Sequence, residues 1–201
     1  MKIIGICGGS GTGKSTVAAA FDKKGVPVIN ADLVYREMVS YRSPLLLKLA
    51  DEFGNDIISQ NGSLDRKKLS GIVFKPGNES KLQKLNSITL NSIIEETEHR
   101  IRDLEKQNHS AVVYDAPLLF ESGFNEKCDV IIAVIASDDV RIERIMQRDS
   151  LTEEQARARI SRQLSNDFLA KNANYTLVNN GSESELMQKV DLVAEKILNE
   201  V

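Results

Sequence analysis

The sequence predicts an α/β fold in which a five-stranded parallel sheet is covered by helices on both faces. Five short runs of apolar, mostly β-branched residues have the nearly continuous hydrophobic character of strands that are buried on both faces. Helical patterns lie between these runs, and strands that alternate with helices form parallel sheets. A cluster of glycines joins the first run to the first helical pattern. These observations together predict a three-layer architecture.

Length and composition exclude several classes of protein. A chain of 201 residues with 41% hydrophobic and 27% charged residues suits one globular module with small insertions. Two cysteines are too few for a disulfide framework or a four-cysteine zinc site. A net charge of −3 argues against a nucleic-acid partner, and no apolar stretch approaches the roughly 20 residues of a membrane helix. We therefore expect a cytoplasmic protein without a membrane, nucleic-acid or obligate protein partner.

The first elements of the chain are a strand, a glycine-rich turn, a helix and a second strand. The first strand is predicted at Lys2–Cys7, where an apolar run ends abruptly at the glycine cluster. Apolar residues at helical spacing then predict a helix over residues 16–24. A second apolar run predicts a strand over residues 26–30.

About eighty residues without a convincing strand follow the second strand. The longest helical pattern covers residues 79–106, with apolar residues at helical spacing and charges between them. Before it, an Asn-Gly pair at residues 61–62 indicates a turn, and either Ser63 or Asp65 suits the cap of the next short helix. We therefore expect residues 35–106 to form a helical insertion that leaves the sheet and holds a substrate.

The second half of the chain supplies the other strands and two arginine-rich helical patterns. The strands are predicted at residues 111–114, Val130–Ile135 and Tyr175–Val178, and a final helix ends near Asn199. We expect a single module, residues 1–201, with a core formed by residues 1–34, 107–140 and 167–201 and an arginine-rich lid formed by residues 141–166.

A phosphate-binding motif follows the first strand. Its sequence, GGSGTGKS, matches G-x-x-x-x-G-K-[ST] with a strand before it and a helix after it. In such a loop, backbone N–H groups and the helix dipole bind phosphates, the lysine bridges the β- and γ-phosphates, and the next hydroxyl ligates Mg²⁺. A glycine turn that binds nothing is the alternative. The predicted ATP-binding residues are Gly11, Thr12, Gly13, Lys14, Ser15 and Thr16, with Lys14 also catalytic and Ser15 also a ligand of Mg²⁺.

The phosphate-binding loop indicates a nucleotide but does not by itself identify the reaction. A GTPase needs a guanine-reading Asn-Lys-x-Asp motif, which the sequence lacks. The Asp-x-x-Gly sequence at residues 51–54 ends a helical pattern, whereas a nucleotide switch would follow a strand. A P-loop kinase fold that acts on a small molecule is therefore favoured over a regulatory nucleotide-binding switch.

Two aspartates are candidate functional residues because each follows a predicted strand. Asp32 follows the second strand, where a carboxylate can orient the acceptor hydroxyl and accept its proton. Capping of the next helix is the alternative role of Asp32. Asp115 follows the third strand and resembles a carboxylate that holds Mg²⁺, while a turn residue before Pro117 is an equally good explanation.

Six arginines and no lysine lie between residues 141 and 162. Arg141, Arg144 and Arg148 share one face of a helix, and the other three follow on a helix that Thr152 would cap. Arginine suits bidentate phosphate binding or stacking on a base, and a solvated face paired with glutamates is the alternative. We predict that Arg144 and Arg148 bind ATP.

Several segments together resemble the dephospho-coenzyme A kinase family. The glycine-rich loop is similar to that of the family, and INADLVYR resembles its Asp-Ala-Asp motif with Asp32 as the second aspartate. Other segments resemble its Asp-Gly-x-Leu-Asp-Arg segment, its Pro-Leu-Leu-Phe-Glu loop and its lid. The matching segments outside the glycine-rich loop are residues 29–36, 61–74, 115–123, 145–149 and 158–163.

The resemblance implies a reaction and an acceptor. The γ-phosphoryl group of ATP would be transferred to the ribose 3′-hydroxyl of dephospho-coenzyme A, which is the last step of coenzyme A biosynthesis. An acceptor with a pantetheine arm and a pyrophosphate needs apolar walls and positive charge, for which Leu118, Phe120 and Arg66 are candidates. A shikimate-, nucleoside- or nucleotide-type kinase is the rival with the same fold.

The sequence departs from the family pattern in three places. Asn30 replaces the first aspartate of the Asp-Ala-Asp motif, Leu90-Asn91 stand where the family usually has His-Pro, and Asn174 stands where an aspartate is common. Asn30 keeps polarity and loses a charge, and the loss of His-Pro concerns a contact or kink of the long helix. None of these changes removes a group that the predicted mechanism requires.

Overall fold

The computed structural model describes residues 1–41 and 43–199. Arg42 and residues 200–201 lie outside the described part of the chain. Among the described residues, no helix combines the length and the apolar character needed to cross a membrane.

Two compact units make up the chain, and each has its own hydrophobic core. The first unit comprises Met1–Ile29 and Asp103–Val201, and the second comprises Asn30–Arg102. The limits proposed for the insertion, residues 35–106, and for the lid, residues 141–166, remain predictions.

The described residues form a five-stranded sheet in the order β2-β3-β1-β4-β5. The strands are β1 (Lys2–Cys7), β2 (Val28–Asn30), β3 (Ala111–Asp115), β4 (Val130–Ile135) and β5 (Tyr175–Val178). β1 pairs in parallel with both β3 and β4, and β4 pairs in parallel with β5. The predicted α/β fold with a parallel sheet is therefore confirmed.

The second strand begins two residues later than the predicted range, 26–30. The N–H of Val26 donates to the carbonyl of Phe21 at 3.1 Å and so closes the end of the first helix. Pro27 has no N–H, although its carbonyl accepts from the N–H of Val113 at 2.9 Å. Backbone hydrogen bonding therefore limits β2 to three residues.

Helices α1 (Lys14–Lys23) and α9 (Glu183–Asn199) pack against the sheet. Their apolar residues recur at helical spacing and form one buried face each. The shared core includes Val17, Phe21, Leu186, Val190 and Ile197 from the helices and Ile4, Ile6, Val113, Ile132 and Val134 from the strands. Burial of one such side chain contributes about 1.5–3 kcal/mol. The glycine-rich loop is consequently held at both ends, by β1 and by α1.

A helical hairpin lies between β4 and β5. It consists of α6 (Asp138–Asp149) and α7 (Glu153–Ile160), and α8 (Asn166–Lys171) follows it. Ile142, Ile145 and Ala156 are buried in a small core between the two helices of the hairpin. This hairpin carries most of the arginines that the sequence places between residues 141 and 162.

The start of α7 agrees with its sequence pattern, and its end does not. The Thr152 hydroxyl accepts from the N–H of Gln155 at 3.3 Å, and the Gln155 side chain accepts from the N–H of Thr152 at 2.9 Å. This reciprocal capping box begins the helix at the predicted position. Arg162, expected on the same helix, lies beyond its end at Ile160, where the N–H of Gln163 donates back to the Ile160 carbonyl at 3.0 Å.

The second unit is helical. It contains α2 (Ala31–Met38), α3 (Pro44–Phe53), α4 (Arg66–Val73) and most of α5 (Glu79–Lys106), around a core that includes Leu45, Leu46, Leu49, Ile57, Leu69 and Val73. The Asp65 carboxylate caps α4 by accepting from two backbone N–H groups at 3.0 and 3.1 Å, so Asp65 rather than Ser63 is the cap. α3 ends at Phe53 and Gly54 is its C-cap, as predicted for the Asp-x-x-Gly sequence.

Candidate active site

The glycine-rich loop connects the end of β1 to the start of α1. Gly11 and Gly13 have φ angles of 78° and 95°, a region that residues with a Cβ rarely adopt. Gly13 directly precedes α1 and has no side chain, so the first N–H groups of the helix have no side-chain acceptor from a capping residue. A Cβ at Gly13 would also overlap the Asn179 Nδ2 atom. The conformation of the loop therefore requires both glycines.

Four successive carbonyls of this loop accept hydrogen bonds from side chains. The donors are Thr12 Oγ1 to Gly9 (2.9 Å), Arg141 Nε to Ser10 (3.0 Å), Arg144 Nη1 to Gly11 (3.2 Å) and Asn179 Nδ2 to Thr12 (2.8 Å). Three of these donors come from segments far from the loop in the sequence. The tertiary structure thus determines the direction of the loop carbonyls.

Four N–H groups of the loop and of the first helical turn are available for an anion. The N–H groups of Gly11 and Gly13 point away from the side-chain donors, because the C=O and the N–H of a trans peptide point in opposite directions. Those of Lys14 and Ser15 lie at the open start of α1. Within the described chain, none of the four donates to a protein acceptor. Together with the helix dipole, they are suited to phosphate.

Two other predicted phosphate donors are already engaged. The N–H of Thr12 donates to the carbonyl of Gly9 at 3.4 Å, and the N–H of Thr16 donates to the carbonyl of Gly13 at 3.1 Å. Their backbone groups therefore shape the loop and begin the helix. An ATP contact of Thr12 or Thr16 remains a prediction.

Cys7, the last residue of β1, lies next to the charged part of this site. It is 1% exposed, and burial raises the pKa of its thiol to about 12 although the nearby ammonium group of Lys14 acts in the opposite direction. Burial likewise raises the pKa of Cys128 to about 12. Both thiols are therefore protonated near neutral pH and serve packing rather than nucleophilic chemistry.

Arg144 and Arg148, both predicted to bind ATP, lie in different surroundings. Arg144 Nη1 donates to the carbonyls of Gly11 and Asn179, at 3.2 and 3.0 Å, and lines a cleft beside Gly13. Arg148 forms two hydrogen bonds with Asp149 and is exposed. The hydrogen bond from Arg148 holds the pKa of Asp149 well below its usual range. Arg144 therefore supports the loop directly, and Arg148 is an exposed, ion-paired side chain.

Asp115 lies at the carboxyl end of β3. Its register partner on β1 is Ile6, one residue before Cys7, so its backbone lies beside the start of the glycine-rich loop. The residue is 3% exposed. The N–H of Ala116 donates to the carbonyl of Ile6 at 3.2 Å and extends the pairing by one bond. A predicted metal ligand and the phosphate-binding loop thus share one edge of the sheet.

An apolar cleft borders the glycine-rich loop within the first unit. Leu118 and Phe120, both predicted to bind the acceptor, line it. The Phe120 ring packs edge-on against Phe168, with ring centroids 5.4 Å apart. Arg162 and Glu121 add charged groups to the same cleft. The structure therefore brings two of the predicted acceptor residues together next to the loop.

Asp32 lies in the first turn of α2, in the second unit, and is exposed. The expected alternative, that Asp32 caps this helix, is wrong. The cap is Asn30, whose Oδ1 accepts from the N–H of Leu33 at 3.0 Å. The carboxylate of Asp32 consequently has no capping function.

Arg66, the third predicted acceptor residue, is the first residue of α4. Its guanidinium lies over the ring of Tyr35, 5.5 Å from the ring centroid. Burial raises the pKa of Tyr35, and the charge of Arg66 opposes this effect. A cation over an aromatic face is attracted to it, so Tyr35 restrains the exposed Arg66 side chain.

Sequence reasoning missed the side chains that hold the loop from outside. The sequence places Arg141 among six arginines suited to a phosphate or a base, and it assigns no individual role to Gln163 or Asn179. Their signals are weak, because a single polar residue after a helix or a strand has many uses. Only the folded chain shows that these side chains contact the loop. Arg141 and Asn179 donate to the carbonyls of Ser10 and Thr12, and Gln163 donates to the Ser10 hydroxyl.

Comparison with known proteins identifies the family. A family model described as dephospho-CoA kinase matches residues 2–185. A dephospho-CoA kinase from Fusobacterium nucleatum is 38% identical over 198 residues, which cover 98% of this chain and 99% of the relative.

Solved structures agree with this match. A protein from Thermus thermophilus is similar with a TM-score of 0.79 and 29% identity over 97% of each chain. A dephospho-CoA kinase from Campylobacter jejuni is similar with a TM-score of 0.73 and 26% identity over 98% of each chain. Since the family model spans most of the sequence, the chain belongs to the dephospho-CoA kinase family.

Proposed function

We propose that the chain transfers the γ-phosphoryl group of ATP to the ribose 3′-hydroxyl of dephospho-coenzyme A, which gives coenzyme A and ADP. This reaction is the last step of coenzyme A biosynthesis and is the reaction of the family. The observation that carries the proposal is the cluster of unengaged N–H groups at the start of α1, in a chain that matches the family model over most of its length. A cytoplasmic location and the lack of a protein or nucleic-acid partner remain predictions.

In this proposal the phosphates of ATP bind to the glycine-rich loop. The N–H groups of Gly11, Gly13, Lys14 and Ser15 offer hydrogen bonds that need no rearrangement of the loop. The ammonium group of Lys14 balances the negative charge that grows on the oxygen between the β- and γ-phosphorus atoms as the bond breaks. Preorganised donors of this kind lower the barrier because they do not reorient during the reaction.

The oxygen groups beside the loop fit Mg²⁺. Ser15 carries an exposed hydroxyl on the first turn of α1, and Asp115 carries a carboxylate at the neighbouring strand end. Hydroxyl and carboxylate oxygens are ligands that Mg²⁺ prefers. We infer that Ser15 ligates the ion and that Asp115 holds it directly or through its water. When bound, the ion supplies positive charge to the β- and γ-phosphates.

Asp32 is our candidate for the group that accepts the proton of the acceptor. Its carboxylate is exposed in the first turn of α2, and the capping role is taken by Asn30. As the 3′-oxygen forms its bond to the γ-phosphorus, the bond from that phosphorus to the β–γ bridging oxygen breaks. The hydroxyl proton passes to Asp32, and ADP keeps the bridging oxygen.

The arginines of the hairpin have separate proposed roles. Arg144 lines the cleft that contains Gly13 and Thr16, so we propose that it contacts the nucleotide while it holds the Gly11 carbonyl. Arg148 would exchange its exposed pairing with Asp149 for a phosphate or base of ATP. Residues 141–166 would close as a lid over the bound nucleotide and exclude water.

A panel of acceptors tests the proposed function. With MgATP held constant, we expect dephospho-coenzyme A to be phosphorylated at least about 10²-fold faster than adenosine, AMP or shikimate. The reason is that contacts of the pantetheine arm and the pyrophosphate, for instance with Leu118 and Phe120, help to orient the reacting hydroxyl. ADP release and the mass of the product provide the measurement. Equal or faster turnover of shikimate or adenosine would contradict the proposed acceptor and leave a P-loop kinase.

Arg66→Ala tests the positive charge proposed for the acceptor. We expect kcat/KM for dephospho-coenzyme A to fall by about 10-fold or more, because a charged hydrogen bond to the acceptor is lost. Background ATP hydrolysis should change little. Lys81→Ala, at an exposed lysine of α5, is the charge-matched control. If the two variants have the same kcat/KM as the unaltered protein, Arg66 does not bind the acceptor.

A further inference from the structure

We propose that Arg141 is a positioning residue of the phosphate-binding loop. Together with Gln163 it holds the Ser10–Gly11 peptide so that the N–H of Gly11 faces ATP. The proposal rests on the proposed function in one respect, since it concerns how this loop binds ATP.

Ser10 is bound by two side chains that lie far from it in the sequence. Its carbonyl accepts from Arg141 Nε at 3.0 Å, and its N–H donates to Gln163 Oε1 at 3.0 Å. Its hydroxyl accepts from Gln163 Nε2 at 3.0 Å. Arg141 Nη2 donates to Gln163 Oε1 at 2.7 Å and so closes the network. All polar groups of Ser10 are therefore engaged.

The burial of Arg141 separates its role from direct phosphate binding. The residue is 2% exposed, and its third guanidinium nitrogen, Nη1, pairs with Asp138 at 3.2 Å. Burial lowers the pKa of Arg141, and Asp138 counteracts this effect. If the guanidinium turned towards ATP, this buried cation would give up its hydrogen bonds to the Ser10 carbonyl, Gln163 and Asp138, which is costly. Arg141 therefore acts on ATP through the loop.

Gly9 provides independent evidence that the guanidinium belongs against the loop. A Cβ at residue 9 would overlap Arg141 Nη2 and would lie 2.7 Å from Gln163 Oε1. The phosphate-binding motif leaves this position unspecified. Glycine at residue 9 is therefore explained by the approach of Arg141 and Gln163.

Loss of Arg141 should weaken the binding of ATP more than it slows phosphoryl transfer. Without its donor, the Ser10 carbonyl can rotate, because the glycine after it tolerates either sign of φ. Rotation of this peptide would turn the Gly11 N–H away from the phosphates and present a carbonyl oxygen to them. Lys14 and Asp32 would keep their positions, so saturating ATP should restore most of the rate.

Arg141→Met tests this role, because methionine keeps the apolar stem and removes all donors. We expect the Kd for ATP, measured by calorimetry, to rise at least about 10-fold. The KM for dephospho-coenzyme A and the kcat at saturating ATP should stay within about threefold. Arg141→Lys should recover part of the ATP affinity, since an ammonium group can still donate to the Ser10 carbonyl.

Gln163→Leu completes the test. Arg141 and Gln163 both act through Ser10. The double variant Arg141→Met/Gln163→Leu should therefore have a Kd for ATP no higher than the higher Kd of the two single variants. Independent roles would instead multiply the two increases in Kd. Arg102→Met, at an exposed arginine of α5, is the matched control and should keep the original affinity. If Arg141→Met does not fold, as judged by circular dichroism, Gln163→Leu and Gly9→Ala measure the same effect.

Two results would overturn the proposal: an unchanged Kd for ATP in the folded variants, or losses that multiply in the double variant. ATP affinity is measured without any acceptor, so the outcome does not depend on whether dephospho-coenzyme A is phosphorylated. Dephospho-coenzyme A could show no preference in the acceptor panel while Arg141→Met binds ATP more weakly than the unaltered protein. That result would reject the proposed acceptor and keep the positioning role.

Discussion

Lys14→Ala is expected to lower kcat by at least about 10³-fold while the fold is kept. Lys14 is the first residue of α1. Its backbone N–H and those of Gly11, Gly13 and Ser15 donate to no acceptor within the described chain. Its ammonium group adds a mobile positive charge to the loop. The charge of the phosphates shifts towards the bridging oxygen in the transition state, so removal of this cation affects the transition state more than bound ATP. Steady-state kinetics and a thermal melt measure the two quantities.

Lys23→Ala is the matched control for this variant, because Lys23 is an exposed lysine in the last turn of the same helix. We expect it to keep the original kcat. The thermal midpoint of Lys14→Ala should stay within about 2 °C of the unaltered protein, since a partly buried lysine without a packing role contributes little to stability. A Lys14→Ala protein that is folded and turns over at a normal rate would refute the catalytic assignment.

Asp32→Asn is expected to lower kcat by about 10²-fold or more and to leave the affinity for ATP unchanged. The amide has nearly the shape of the carboxylate but does not accept a proton. The helix should be unaffected, because Asn30 and not Asp32 caps α2. Steady-state kinetics and calorimetry of ATP binding measure the two quantities.

Asp51→Asn, at an exposed aspartate of α3, controls for the loss of one negative charge in the second unit. It should keep the original kcat and the original affinity for ATP. If Asp32→Asn retains the original kcat, Asp32 neither accepts the proton nor orients the hydroxyl, and another group must be sought.

Much of the fold follows from local patterns in the sequence. β1 and β4 have the predicted bounds, because a strand covered on both faces is a continuous apolar run with a clear end. α5 also has the predicted bounds and continues without a break through Leu90 and Asn91, which stand in place of the usual His-Pro pair of the family pattern. β2 was predicted too long, because the hydrogen bond from Val26 to the end of α1 cannot be recognised from composition.

The departures from the family pattern gain their meaning from partners in space. Asn30 became the cap of α2 through its contact with Leu33. Asn174 accepts from the N–H of Ile131 at 2.8 Å and so connects the chain before β5 to β4. A short polar side chain suits many such contacts, and only the folded chain selects one of them.

The sequence by itself determined the strand, loop and helix that present phosphate-binding N–H groups, because these features depend on residues adjacent in the chain. It did not determine which arginine would meet the loop. Arg141, Arg144 and Arg148 share a helical face, and their spacing is the same wherever that face is directed. α6 packs closely against the loop, since a Cβ on Gly11 would lie 3.3 Å from Ile145. This packing brings Arg141 and Arg144 to the loop carbonyls and leaves Arg148 exposed. Tertiary packing decided this, since contacts between distant segments depend on how whole elements pack.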